Sequence, residues 1–142
     1  MITACLFIVG VAHAAELLTP ADFRDPKRWQ SLGGSPAAEV VTEGGKPAVR
    51  LRCLFSTTVT ASAGWDVEMM SDLAGYRWVE LRLRADDPDG VAEIWVYFES
   101  GTGWYRSDAG GVGKEWQTLT IPLASFGIEG TPSGWSSVRR MR

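Results

Sequence analysis

The sequence predicts an all-β chain folded as an antiparallel two-sheet sandwich, and three observations predict it. Short runs of alternating apolar and polar residues recur roughly every eight to twelve positions, each closed by a Gly-, Pro- or Asp-rich turn. Beyond the first dozen residues, no stretch sustains the 3.6-residue apolar period of a helix. The composition, with 7 Trp and 16 Gly among 142 residues, favours sheets and turns over helices. One domain of this length can bury a two-layer core.

Taken in order, the runs give seven or eight strands. Leu17 to Trp29 mixes Pro, Asp and aromatic residues and reads as a lead-in segment lapping over the sandwich. Ala37 to Thr42 is a strand, closed by the turn Glu43-Gly44-Gly45-Lys46-Pro47. Ala48 to Phe55 follows, with Val49, Leu51, Cys53 and Phe55 on the inward side. Ser56 to Ala63 suits either strand or extended loop. Trp65 to Met69 places Trp65, Val67 and Met69 on one face and Asp66 and Glu68 on the other, solvated one. Trp78 to Arg84 has Val79, Leu81 and Leu83 inward and Trp78, Glu80, Arg82 and Arg84 outward. Glu115 to Leu123 is a strand stopped by Pro122, Ala124 to Phe126 is one helical turn, Gly130 to Trp135 is turn chemistry, and Ser137 to Arg142 begins a further strand.

The front end reads differently. Ile2 to Val11 is an apolar run of about ten residues, too short to span a bilayer, followed by Ala12-His13-Ala14, an A-x-A cleavage pattern. Residues 1–14 are therefore expected to be an export signal, and residues 15–142 a single module that is secreted or periplasmic. No Lys or Arg precedes the run, a departure from the usual pattern. With residues 1–14 removed, the chain loses its only His and one of its two Cys. Histidine-based triads, histidine metal ligands and an internal disulfide are then excluded. A net charge of −3 argues against nucleic acid as a partner. The turn Asp86-Asp87-Pro88-Asp89-Gly90 invites a calcium reading but lacks EF-hand spacing; no cofactor is expected, and any calcium would be structural.

The stretch around which the rest is organised is Ala92 to Arg106, a hairpin turning at Ser100-Gly101-Thr102-Gly103. Ile94, Val96 and Phe98 share its core side, while Glu93, Trp95, Tyr97 and Glu99 share the other. Rings set between carboxylates suit a ring-stacking surface or the seam against another layer. A sugar ring offers C–H patches to flat aromatic faces and hydroxyls to forked polar partners. Trp95 and Tyr97 with Arg82, Arg84, Glu93 and Glu99 supply both, provided the two strands that carry them are neighbours. Trp104 and Tyr105 serve as a ligand rim or as a clamp on the hairpin. Trp65, Trp116 and Trp135 are assigned to packing. As catalytic pairs, Asp66 and Glu68 lie about 7 Å apart on one strand, compatible with glycosidase carboxylates but more simply explained as same-strand neighbours on a solvated face, whereas Glu93 and Glu99, about 20 Å apart, lie beyond that geometry.

Three local patterns in this order resemble a known family. They are Gly64-Trp65-Asp66 leading to Asp72-Leu73, Asp86-Asp87-Pro88 leading to Trp95 through Tyr105, and Trp116 through Leu123 followed by Phe126, Glu129 to Pro132 and Gly134-Trp135. The set, from about Val40 onward, is similar to the galactose-binding-like jelly-roll sandwich found as an accessory domain in secreted bacterial glycoside hydrolases. The resemblance implies a non-catalytic carbohydrate-binding module, with a polysaccharide or oligosaccharide as partner and a glycoside hydrolase domain downstream in the same chain. It also implies one or two strands beyond the Trp135 to Met141 pattern, so the module either lacks its last strand or is the N-terminal part of a longer protein. A structural or interaction sandwich packed on such a catalytic domain, without sugar binding of its own, is the competing expectation.

Overall fold

The structure, a computed structural model, describes residues 2–9, 14–15, 24–55 and 62–142, with side chains from residue 24 onward. Its described residues form β1 (Ile2–Val9), β2 (Ala14–Ala15), β3 (Trp29–Leu32), β4 (Glu39–Glu43), β5 (Lys46–Leu51), β6 (Gly64–Ser71), β7 (Trp78–Ala85), β8 (Trp95–Ser100), β9 (Thr102–Asp108), β10 (Gln117–Pro122), β11 (Gly127–Thr131) and β12 (Val138–Met141). All pairings are antiparallel. One sheet has the order β10-β7-β1-β5-β4, with β2 paired to β1; the other has the order β11-β9-β8-β12-β6-β3. The fold class is the two-sheet antiparallel sandwich that the alternation predicts.

Alternation sets the core. In β7, Val79, Leu81, Leu83 and Ala85 are buried while the residues between them are half-buried, and in β6 Trp65, Val67 and Met69 are buried. These rows meet Val49, Val96, Phe98, Ile121, Val138 and Met141 in one cluster between the sheets. One part of this core is aromatic, centred on the fully buried Phe98. The Phe98 ring lies 5.7 Å from Phe126 and 5.9 Å from Trp135, and Trp135 stacks on Tyr105 at 3.8 Å and 12°. Trp65 is buried and donates its indole N–H to the Pro36 carbonyl. Both indoles are thus packing residues. Cys53 is free and half-buried against the core, where burial pushes its thiol up from the ordinary value.

The hairpin turns where glycine demands it. Ser100 pairs with Gly103, Gly101 takes φ 60°, and Thr102 does not share that sign, the geometry of a two-residue turn with glycine leading. Gly103 faces Gly130 across β9 and β11, and a Cβ there would lie 2.5 Å from the backbone nitrogens of Thr131 and Pro132. Gly103→Ala is expected to cost about 1–3 kcal/mol by forcing β11 outward, read as a lower midpoint in urea with an unchanged slope.

The strand count exceeds the expected seven or eight for identifiable reasons. β3 and β11 lie at opposite edges of one sheet, and the five residues of β11 are all exposed. A strand with no buried side leaves no alternation to read, so Gly130 and Thr131 read as turn. The apolar run read as an export signal occupies, over Ile2–Val9, the lane between β5 and β7. His13, Leu17 to Phe23 and most of Ser56 to Ala63 lie outside the described residues. Among described residues, no helix is long and apolar enough to cross a membrane.

Candidate functional site

The outer face of β8 and β9 gathers most of the predicted ligand residues. Across the sheet, Glu129, Trp104, Glu99, Arg140 and Glu68 stand opposite one another in one row. Gly127, Arg106 and Tyr97 continue in the next, where Arg142 exchanges both backbone hydrogen bonds with Tyr97. Trp95 stands opposite Asp108. Side chains on this face alternate rings with guanidinium groups. Arg106 lies 4.9 Å over the Trp95 ring, Arg142 lies 4.5 Å over the Trp104 ring, and Tyr97 meets Trp104 edge-on at 6.2 Å.

Charge fixes these groups in place. Trp95 donates its indole N–H to Glu93 Oε2 at 2.8 Å, and Arg106 donates to Glu129 at 2.8 Å. Arg142 forks onto Asp66 at 2.7 and 3.0 Å. That bond, ahead of a burial penalty, holds the Arg142 guanidinium even more firmly protonated than usual. Glu99 accepts from Arg139 at 2.7 Å and pairs with Arg140 at 3.3 Å. Trp95 is the exposed ring of the set, at 39 %, while Tyr97 and Trp104 are half-buried.

Three predicted residues stand elsewhere. Arg82 and Arg84 lie on β7, in the opposite sheet from Trp95 and Tyr97, so the adjacency assumed for them is absent. Their guanidiniums flank Trp116, at 5.2 and 5.8 Å from its centroid, and Arg84 also bonds Glu43 and Asp86. Tyr105 points inward, 8 % exposed and stacked on Trp135, because its parity is that of Gly103 and not of Trp104. Asp66, expected on a solvated face, is 3 % exposed and ion-paired.

Sequence reading missed Arg106, Arg140, Arg142 and Asp66 as members of this face. The parity of Arg106 with Trp104 could have revealed it; the other three depend on β12 lying between β8 and β6, which no local signal encodes. A shallow cleft of about 430 Å³ opens beside Asp108, with hydroxyls from Ser107, Thr118, Thr120 and Ser125 along it. Among described residues, no group of three His, Cys, Asp or Glu side chains converges as a metal site. In the aspartate turn, Asp86 bonds Arg84 at 2.8 Å. The face and fold define an all-β sandwich with a mixed aromatic and charged sheet surface. No family model, curated protein or solved structure matches the chain.

Proposed function

We propose that the chain is a non-catalytic carbohydrate-binding module of an exported protein, serving a glycoside hydrolase domain, and that the glycan lies on the outer face of β8 and β9. The observation that carries this reading is Trp95: an indole 39 % exposed, its N–H fixed by Glu93 and one ring face braced by Arg106. A ring held this way loses little conformational freedom on stacking a sugar. Glu93 and Asp108 offer acceptors beside it, and the hydroxyl-lined cleft extends the polar surface. Arg82, Arg84 and Tyr105 take no part in this face.

The test is retention on insoluble polysaccharides together with Trp fluorescence titrations by soluble glycans. Trp95→Ala is expected to weaken binding at least tenfold, about 1.4 kcal/mol. Unchanged retention would sink the platform. The second reading, an interface that packs on a catalytic domain, draws on Trp104 lying beneath Arg142; it predicts that no glycan changes the fluorescence of the parent.

A further inference from the structure

We infer that the lane between β5 and β7 is a strand-acceptor site whose ligand is an extended, uncharged, apolar peptide strand in trans, and that Ile2–Val9 is an exchangeable occupant of it. The inference is independent of the carbohydrate reading.

The argument begins with register. β1 pairs with β7 from Ile2↔Ala85 through Phe7↔Glu80 and with β5 from Ile2↔Leu51 through Ala4↔Val49, antiparallel to both. β5 and β7 are therefore parallel to each other and about 9.5 Å apart, two strand spacings. Neither is paired to the other. Register sets Ala4 opposite Leu83 and Val49, and Leu6 opposite Leu81, three partners at most 7 % exposed in the core. An empty lane would open that core to water and leave two rows of backbone donors and acceptors unpaired.

The second observation is the occupant's own sequence. Ile2-Thr3-Ala4-Cys5-Leu6-Phe7-Ile8-Val9 carries no charge, and it runs toward Ala12-His13-Ala14, a pattern that a signal peptidase cuts. The segment that completes the sheet is thus the one whose sequence marks it for removal. Addition of an extended peptide to such a lane draws affinity from main-chain hydrogen bonds and specificity from alternate side chains.

The experiment uses the full chain with a protease site inserted between Ala15 and Glu16. After cleavage, the fragment 1–15 is expected to co-elute with the remainder on gel filtration, and an excess of isotope-labelled 1–15 peptide to replace it, seen by mass spectrometry. A labelled peptide carrying Ala4→Lys and Leu6→Lys is expected to incorporate at least a hundredfold less. Release of the fragment with no change in thermal midpoint overturns the inference, because the lane then needs no occupant. Retention without exchange, or equal uptake of the dilysine peptide, overturns it as well.

Discussion

Phe98→Ala is expected to lower the free energy of unfolding by about 3–5 kcal/mol, the range for removing a buried Phe. The ring is 0 % exposed, stands opposite Tyr105 and Met141 on the flanking strands, and touches Phe126 and Trp135. These neighbours belong to two strands, β9 and β12, and to the two connections that precede β11 and β12, all fixed by other bonds, so they cannot collapse into the space left behind. At this chain length, the loss corresponds to a fall in midpoint of roughly 10 °C or more. Calorimetry of both proteins checks it, and a fall under about 3 °C would mean that the aromatic cluster relaxes freely. Phe98→Leu, which keeps most of the volume, is expected to cost about half as much.

The second large effect is expected from Arg142→Leu, at about 3 kcal/mol. Asp66 has only 4 % of its side chain exposed, and Arg142 supplies both of its short hydrogen bonds. Arg140, at 3.6 Å from the same carboxylate, offsets part of the loss, which places the cost at the low end for stranding a buried charge. The double variant Asp66→Leu with Arg142→Leu is expected to be more stable than Arg142→Leu alone, since it removes the stranded carboxylate along with its partner. Chemical denaturation of the two single variants and the double variant closes the cycle. A double variant at least as unstable as the sum of the singles would show that the pair is not what holds β12 against β6. Trp104, which loses the guanidinium above it, should become more accessible to iodide or acrylamide.

Much of the fold was legible because the core strands obey a period of two. Val79, Leu81 and Leu83 announce their side without reference to any other strand, and the glycine at 101 announces the hairpin. What stayed hidden depends on pairings distant in sequence. Arg82 and Trp95 have compatible chemistry and adjacent strands in the chain, yet the connection between β7 and β8 crosses from one sheet to the other, which separates them. Tyr105 was misplaced by one residue of parity, and a single-residue slip reverses the face. Asp66 looked solvated because a carboxylate between apolar residues usually is, and only the distant Arg142 explains its burial. The half of the candidate face carried by β8 was readable; the arginines that brace it came from β9 and β12.

The placement of β1 bears on how the protein is made. Its pairing partners at 46–51 and 78–85 are translated well after residues 2–9, with about 70 residues between the end of β1 and the start of β7. At about 5–20 residues per second, that interval lasts roughly 4–14 s. During it the segment can pair within its lane only along β5, and the other side of the lane stays open until β7 is made. Chain order thus makes β1 the strand of its sheet that waits longest for its second neighbour.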